Sequence, residues 1–388
     1  MSPGRRVTGS GVACAGVREL VLIRSGRLAW RERDAPSLRN ATDALVRPLI
    51  ASRCDGDALP IHRPVSRALQ AGIAARLVDP VVGCICGRVP FAGPFAIGHE
   101  CVGQVVSKGD DVTDLSIGQV VVVPWAVSCG SCPECERGVT AKCSTTRARE
   151  LAAFGFGPVS GPWGGMVADE IRVPYADHML VPVPEGVDPL RVASASDNLA
   201  DGWRAVVPPL AERPGGSVLV IGGGAQSIGL YAAALAVHHG ASVVHYLDDR
   251  AERLEIAESM GADVHELSSR RRGEVPGRYD VAVEASSRAD GVRAAVRALN
   301  PGGVCTAVGY YLSPGTRVPL MRMYATDATL RLGVSSVRPV LPALLDFVAR
   351  ADFPAERVTT LLADWEDAPT AYAARTTKLV LHRPPLDY

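Results

Sequence analysis

The second half of the chain alternates apolar strand-like runs with helical stretches, and this order restricts the fold more than any other feature. "GSVLVIG" leads into "AQSIGLYAAALAVHHG", and "SVVHYLDD", "AERLEIAESMGA", "YDVAVEAS", "GVRAAVRALN" and "GGVCTAVGY" continue the alternation. The order predicts consecutive βαβ units, and hence a parallel sheet with helices on both faces. We therefore expect a doubly wound α/β domain over residues 199–336.

The first half instead contains short apolar segments broken by glycine and proline, such as "ELVLIRSGRLAW", "CVGQVVSKGD" and "IGQVVVVPW". Repeated short strands with turn signals predict a barrel-like β domain over residues 17–198. Two domains are also expected because 388 residues exceed what one core usually serves. Residues 1–16 are predicted to be a tail, residues 337–388 to return to the first domain, and Pro208 to Gly216 to form a loop.

The charge balance excludes some classes of partner. Lys+Arg and Asp+Glu both number 41, and no basic run interleaved with aromatics occurs, so neither nucleic acid nor a membrane surface is an expected partner. The N-terminal stretch lacks the apolar centre of a signal peptide, and no apolar run approaches the length of a membrane span. We expect a cytoplasmic globular protein.

The segment "SCGSCPECERGVTAKC" carries the strongest chemical signal in the chain. Its four cysteines follow the spacing C-x2-C-x2-C-x7-C, namely Cys129, Cys132, Cys135 and Cys143. This spacing offers four thiolates to one tetrahedral zinc ion and leaves no open coordination position, so the predicted site is structural. The alternative is four unrelated buried cysteines. Without a signal peptide, metal explains the clustering better than disulfides do.

Two further segments contain weaker metal-ligand candidates. His99 and Glu100 lie between glycines at the start of a predicted strand in "FAIGHECVGQVV", and Cys54 lies on a turn after an apolar run in "SRCDGDALP". A lone histidine is more often a core or surface residue, and a lone cysteine usually behaves as a small buried apolar residue. The residues alone leave both possibilities open.

Taken together, "GHECVGQVV", the four-cysteine segment shortly after it and the glycine-rich βαβ unit downstream resemble the zinc-containing medium-chain alcohol dehydrogenase family. The resemblance covers nearly the whole chain from about Leu20. It implies a GroES-like β-barrel catalytic domain joined to a Rossmann domain, with the active site in the cleft between them. It also implies hydride transfer between a nicotinamide cofactor and a small-molecule alcohol or carbonyl substrate.

The resemblance further implies a catalytic zinc bound by a cysteine, the histidine of the GHE motif and a third residue before the nucleotide domain. Cys54 and His99 match the first two, and Asp197 in "ASASDNLADGW" is the choice for the third. Such ligands leave a fourth position open, whereas the alternative role of Asp197 is a helix N-cap. Asp57 is expected to accept the other ring N–H of His99, and Glu100 to assist ligand exchange behind the metal, unless either is a plain surface carboxylate.

The glycine-rich turn departs from a strict G-x-G-x-x-G pattern. Either the turn is one or two residues longer, or Gln226 replaces a glycine. The preceding strand and following helix still favour binding of a dinucleotide pyrophosphate at the helix N-terminus. The candidate cofactor-binding residues here are Gly222, Gly224, Gln226, Ser227, Ile228 and Gly229.

Cofactor choice is predicted from the end of the next strand. Asp248 is placed to accept hydrogen bonds from the adenosine ribose and to repel a 2′-phosphate, which favours NAD over NADP. Arg250 beside it leaves room for NADP, and Asp248 has the alternative role of capping the helix that starts near Ala251. By the resemblance, Arg253 contacts the same ribose and the backbone of Val308 approaches the nicotinamide.

Several positions near the reacting atoms depart from the family pattern. Relatives carry a hydroxyl residue two positions after the zinc cysteine and often a histidine three further on, where this chain has Gly56 and Leu59. Proton transfer then requires His62, bound water or a different chemistry. Asp201 replaces a common threonine, either to bind a polar substrate or to cap a helix. Trp125 matches an aromatic residue of the family's substrate pocket.

The 44 residues between Cys54 and His99 are about twice the spacing usual in the family, and this insertion is expected to reshape the substrate entrance. Its Cys84 and Cys86 either bind metal or are two small apolar residues. The overall prediction is a zinc-dependent alcohol dehydrogenase using NAD, with about two zinc ions per chain, in a homodimer or homotetramer. The alternatives are an aldehyde dismutase or biosynthetic carbonyl reductase of the same family, and a non-catalytic protein that kept the fold.

Overall fold

The computed structural model describes residues 16–267 and 274–387, so the predicted tail lies outside the described residues except for Gly16. The first sheet has three antiparallel strands in the order β2-β1-β4. They are β1 at Val17–Arg24, β2 at Arg27–Arg33 and β4 at Phe95–Ala96. Its buried residues pack against the end of the chain in one apolar cluster that includes Leu20, Leu22 and Trp365.

The second sheet forms the barrel-like part of the first domain. Its strands are β3 at Ala44–Ser52, β5 at Glu100–Lys108, β6 at Val120–Val123, β7 at Ile171–Val173, β8 at Val181–Pro182, β15 at Leu361–Asp364 and β16 at Leu379–His382. The order is β15-β16-β3-β5-β6-β8, with β7 paired to β3. The predicted GroES-like domain is confirmed. The C-terminal strand β16 pairs antiparallel with β3, directly beside the candidate metal site.

Short helices fill the insertion after Cys54. A 3-10 turn at Asp55–Asp57 leads into α1 at Ala58–His62, α2 at Val65–Ala74 and α3 at Val81–Cys86. Two further short helices in the first domain are α4 at Pro133–Glu136, within the four-cysteine segment, and α5 at Ala176–Met179. The insertion therefore has its own secondary structure.

A six-stranded parallel sheet forms the second domain. Its strands are β9 at Val218–Ile221, β10 at Val244–Asp248, β11 at Asp263–Glu266, β12 at Tyr279–Glu284, β13 at Leu299–Ala307 and β14 at Thr329–Arg331. The order β11-β10-β9-β12-β13-β14 is that of a doubly wound dinucleotide-binding sheet. The predicted Rossmann domain is confirmed.

Helices cover both faces of this sheet. They are α6 at Asn198–Ala211, α7 at Gln226–His238, α8 at Ala251–Ser259, α9 at Ala289–Arg297 and α10 at Leu320–Thr326. Helix α11 at Leu341–Ala351 packs against α6, whereas α12 at Ala368–Ala371 packs against β2, β15 and β16 in the first domain. Successive residues of β9 point to opposite faces. Val218 and Val220 accordingly join the core beneath α6 and α7, and Leu219 and Ile221 join the core beneath α9.

The prediction of a loop from Pro208 to Gly216 is wrong for its first part. Helix α6 continues through Pro208 and Pro209 to Ala211. A proline in a helix removes one backbone hydrogen bond. Here the loss falls in the last turn, and burial of Val206 and Leu210 in the core keeps the turn helical.

Within the described residues, no helix combines the length and the apolar character needed to cross a membrane.

Candidate functional site

Strand pairing explains how residues distant in sequence come together at the candidate site. Strands β3 and β5 are antiparallel, with Ser52 opposite Glu100, so Cys54 and His99 lie at the same end of neighbouring strands. The segment before α6 is fixed to this end by its own hydrogen bonds. The Cys101 N–H donates to Ser196 Oγ at 2.9 Å, and Ser196 Oγ donates to the Cys101 carbonyl at 2.8 Å. Asp197 follows directly.

The structure brings Cys54, His99 and Asp197 together as the sequence predicted. One ligand atom from each lies within 4.8 Å of the others, and His99 Nε2 lies 3.4 Å from Asp197 Oδ2. Asp197 occupies the N-cap position of α6, but its side chain makes no capping hydrogen bond. The alternative role of Asp197 as a capping residue is therefore not what the geometry shows.

The electrostatics of this trio fit a bound cation. Burial raises the pKa of the Cys54 thiol, and the Asp197 and Asp57 carboxylates raise it further. Burial lowers the pKa of His99, but the Asp57 and Asp197 carboxylates outweigh it and raise that pKa to about 9. A divalent metal reverses both tendencies, because it favours thiolate and neutral imidazole. Sulfur, nitrogen and oxygen donors in this combination are those of a catalytic zinc site with an open position.

Two predicted supporting carboxylates have different surroundings. Asp57 Oδ1 lies 3.6 Å from His99 Nδ1, beyond hydrogen-bond distance, and neither His99 Nδ1 nor Asp57 Oδ2 has a hydrogen-bond partner among the described residues. Glu100 is fully buried. It accepts from Lys378 Nζ at 2.5 Å and from the Asn198 N–H at 2.9 Å. Neither carboxylate is on the surface, and Glu100 is held by Lys378, which sequence reasoning missed.

The four cysteines of the predicted structural site form a second cluster, which we call the lobe site. Cys129, Cys132, Cys135 and Cys143 are all buried, and their Sγ atoms lie within 4.8 Å of one another. The Cys129 N–H also donates to Cys143 Sγ at 3.4 Å. Burial raises the pKa of Cys132, but hydrogen bonds from Ser144 and the Cys135 backbone outweigh it and lower that pKa to about 5. These sulfur atoms are arranged to hold one metal ion.

In the part of the chain that the structure describes, Cys84 and Cys86 belong to neither cluster. Cys86 ends α3, and burial raises the pKa of its thiol to about 12. The geometry therefore favours their interpretation as small apolar residues. His62 ends α1, where burial and nearby Arg53 lower its pKa, and its relay role stays a prediction.

Aromatic side chains surround the imidazole of the trio. Ring centroids of Phe156 and Trp125 lie 4.7 Å and 6.3 Å from that of His99, and Trp125 Nε1 donates to the Ser335 carbonyl at 3.2 Å. Asp201 is buried and forms an ion pair with Arg204. Burial raises the pKa of Asp201 to about 6. Asp201 lies inside α6 and pairs with a side chain one turn along it, so it does not cap this helix, and its substrate-binding role stays a prediction.

Tyr310 occupies the space that Gly56 leaves, a contact that sequence reasoning missed. A Cβ atom on Gly56 would lie 3.2 Å from Tyr310 Cε2 and 3.4 Å from its hydroxyl. The two residues also line one pocket with Asp57, Phe91, Phe95 and Phe156. Tyr310 follows Val308 by two residues. This nearness to a predicted nicotinamide contact is the sequence feature that could have identified Tyr310 as a residue of the site.

The glycine-rich turn packs as tightly as a phosphate-binding turn requires. A Cβ atom on Gly222 would lie 2.3 Å from Asp248 Oδ2, and one on Gly224 would lie 2.7 Å from Ser287 Oγ. Helix α7 begins at Gln226, so Ser227 and Ile228 are in its first turn. Their N–H groups already have an acceptor. Asp55 Oδ2 lies 2.9 Å from Ser227 N and 3.4 Å from Ile228 N.

Asp248 is fully buried, and protein groups occupy all its acceptor positions. Arg253 donates to both oxygens at 2.5 Å and 2.8 Å, Tyr246 Oη donates at 2.9 Å and the Arg250 N–H at 3.0 Å. A carboxylate has about four lone-pair sites. Ribose recognition by Asp248 or Arg253 therefore requires exchange of one of these bonds, and both roles stay predictions. Val308 is half-buried, and its N–H donates to the Glu284 carbonyl at 3.0 Å.

Comparison with known sequences gives two domain matches. The alcohol dehydrogenase GroES-like domain matches residues 41–185, and the zinc-binding dehydrogenase domain matches residues 227–350. A probable zinc-binding alcohol dehydrogenase of Mycobacterium tuberculosis is 30% identical over 302 residues, which is 74% of this chain and 73% of that protein. Formaldehyde dismutase of Pseudomonas putida is 34% identical over 188 residues, which is 47% of this chain and 46% of the dismutase.

Among solved structures, an alcohol dehydrogenase from Thermus sp. ATN1 superposes with a TM-score of 0.77 at 30% sequence identity. The match covers 94% of this chain and 99% of that chain. The similarity therefore includes both domains.

Proposed function

This chain belongs to the zinc-dependent medium-chain dehydrogenase/reductase family, and we propose that it interconverts a small alcohol and its aldehyde or ketone by hydride transfer to or from a nicotinamide dinucleotide. The observation that carries the proposal is the trio Cys54, His99 and Asp197. Their thiol, imidazole and carboxylate groups converge in the interior, and the carboxylate of Asp197 makes no helix-capping hydrogen bond. Three protein ligands leave a position open for a substrate oxygen. Zinc bound there supplies a Lewis acid that polarises this oxygen.

The chain's own residues prepare the site for that chemistry. Phe156 and Trp125 pack around His99 and limit the access of water to it. Asp57 is the carboxylate nearest to His99 Nδ1, and a small shift of either side chain lets it fix the ring orientation. Lys378 neutralises Glu100 and holds it at the back of the site.

We assign the missing hydroxyl of the pattern to Tyr310. Its phenol lies against Gly56, where relatives carry serine or threonine, and lines the same pocket. A hydroxyl at this point donates a hydrogen bond to the substrate oxygen during reduction and accepts one during oxidation. Tyr310 competes for this role with His62, which ends α1 and whose pKa is lowered by burial and by Arg53.

The remaining features of the proposal follow from the family. The lobe site holds a structural zinc, so the chain binds about two zinc ions. NAD is the proposed cofactor because Asp248 is acidic, although its pairing with Arg253 offsets the charge that would repel the 2′-phosphate of NADP. The proposed state is a cytoplasmic homodimer or homotetramer.

The test is hydride transfer itself. Purified protein is incubated with NAD or NADP and a series of small alcohols, and with the reduced cofactors and the matching aldehydes and ketones, while nicotinamide absorbance is followed. We expect turnover that Asp197→Asn abolishes without loss of the lobe zinc. Turnover unchanged in Asp197→Asn would contradict the proposed site.

Dismutation of a small aldehyde is a second candidate. It is favoured by Gly56, which removes the usual relay hydroxyl, and by the similarity over less than half of each chain to formaldehyde dismutase. This reaction needs no external cofactor, because the bound dinucleotide is reduced and reoxidised in one cycle. Production of equal amounts of alcohol and acid from an aldehyde, without added NAD, distinguishes it from simple dehydrogenation.

A further inference from the structure

The residue after the zinc-ligand candidate Cys54 makes an unexpected contact with the second domain. Asp55 Oδ2 accepts from the Ser227 N–H at 2.9 Å and from the Ile228 N–H at 3.4 Å, and the Ser227 hydroxyl lies 3.1 Å from both carboxylate oxygens. The two N–H groups begin α7, a helix of 13 residues. A carboxylate of the first domain therefore lies at the N-terminus of α7 in the second domain.

The position that Asp55 occupies is an anion site. Helix α7 follows the glycine-rich turn, and the free N–H groups and positive dipole end of such a helix bind a dinucleotide pyrophosphate. Asp55 uses these same donors. Its hydrogen-bonding partner Ser227 is also held by the side-chain amide of Asn198, 2.7 Å from the Ser227 hydroxyl, so the contact is part of a buried network.

We propose that Asp55 is an internal occupant of the pyrophosphate position, which a dinucleotide must displace before it binds. The inference rests on the proposed function, because it assumes that the ligand of α7 is NAD or NADP. A carboxylate and a pyrophosphate cannot share two N–H donors, and their charges repel each other. Asp55 therefore sets the affinity for the cofactor and weakens it in the free protein.

The contact also couples the cofactor to the metal site. Asp55 is bonded directly to Cys54 in sequence and belongs to the 3-10 turn Asp55–Asp57. Displacement of its side chain acts on the turn that carries both a metal-ligand candidate and Asp57. The loop thus connects occupation of the nucleotide site with the arrangement of the catalytic cluster.

The experiment compares wild type with Asp55→Asn and Asp55→Gly, each loaded with zinc. Asparagine keeps an acceptor for the Ser227 and Ile228 N–H groups but removes the charge, whereas glycine removes both. Dissociation constants for NADH are measured by fluorescence, and those for ADP-ribose and adenosine by competition. Asp188→Asn is the matched control, because Asp188 also accepts a backbone N–H at the start of a helical turn, from Leu190 at 2.9 Å.

We expect NADH and ADP-ribose to bind about tenfold more tightly to Asp55→Asn, equivalent to about 1.4 kcal/mol, and more tightly still to Asp55→Gly. Adenosine, which lacks phosphate, is expected to bind equally to all variants, and Asp188→Asn is expected to match wild type. If Asp55→Gly fails to fold, the comparison of Asp55→Asn with wild type decides the matter.

The possible failures separate the inference from the proposed function. Equal or weaker binding of ADP-ribose to both Asp55 variants, with wild type binding it well, overturns the role of Asp55 and leaves the dehydrogenase proposal intact. Absence of ADP-ribose and NADH binding in every folded, zinc-loaded variant contradicts the dinucleotide itself, and the inference falls with it.

Discussion

The two cysteine-containing clusters of this protein differ in how the chain builds them. All ligands of the lobe site come from one segment of fifteen residues, between Cys129 and Cys143. The proposed catalytic trio instead takes one candidate ligand from just after β3, one from just before β5 and one from the start of α6. The lobe site depends on the spacing of cysteines within one segment. The trio depends on the register of β3 and β5 and on the hydrogen bonds that hold the segment before α6 against β5.

The difference in assembly parallels a difference in chemistry. Four thiolates close the coordination shell of the lobe site, which therefore suits a structural role. The trio has three candidate ligands, is surrounded by aromatic side chains, lies next to a pocket and is close to the N-terminus of α7. The locally encoded cluster has the four donors that a structural zinc site requires, whereas the cluster that depends on the whole fold has the three donors of the proposed catalytic site.

The largest effect is expected from breaking the lobe site. Cys143→Ser removes one of four ligands, and because metal binding and folding are coupled in such sites, the free energy of unfolding should fall by about 3 kcal/mol or more. Chemical denaturation together with zinc analysis measures this. Cys305→Ser is the control, since Cys305 is equally buried but lies outside both clusters. Zinc loss from Cys305→Ser as well would show that the loss does not come from removing a ligand of the lobe site.

A smaller effect, confined to activity, is expected from the trio. Asp197→Asn keeps the shape of the side chain but removes its charge, and turnover should fall by at least about 100-fold, while the unfolding midpoint stays near that of wild type. The two measurements are made on the same preparation, with Asp188→Asn alongside. A loss of stability as large as that of Cys143→Ser would remove the contrast between the two sites.

Tyr310→Phe should lower turnover less than Asp197→Asn does and should leave the lobe site unchanged. Loss of the hydroxyl beside Gly56 is expected to lower turnover by about tenfold, with both zinc ions retained. Tyr324→Phe is the control, because Tyr324 is 80% exposed. The pH dependence of turnover distinguishes a relay from a packing role, since only loss of a relay changes the profile. Unchanged kinetics would return the relay to His62 or water.

The smallest effect on zinc content and turnover is expected from changing Cys84 and Cys86. Cys84→Ser combined with Cys86→Ser should leave the zinc content unchanged and turnover within about twofold of wild type, because neither residue joins a metal-ligand cluster among residues 16–267 and 274–387. Loss of a zinc ion from this double variant would contradict this expectation and place a metal at Cys84 and Cys86.

The same contrast explains which features the sequence could predict. The lobe site follows from spacing alone, and alternating strands and helices predict the parallel sheet. Cys54, His99 and Asp197 were reached through family resemblance, because strand register is not visible in a single sequence. Contacts between side chains of different elements were missed: Asp55 with α7, and Lys378 with Glu100. The predicted loop from Pro208 was also wrong in its first part, because burial of the last turn of α6 outweighs the cost of its two prolines.

The central claim is that one zinc site is structural and the other catalytic, and metal analysis of wild type beside Cys54→Ser tests it most directly. Zinc per chain and turnover are measured on the same samples. The account predicts about two zinc ions in wild type and about one in Cys54→Ser, with turnover lost and the fold retained. An unchanged zinc content in Cys54→Ser with turnover preserved would contradict it.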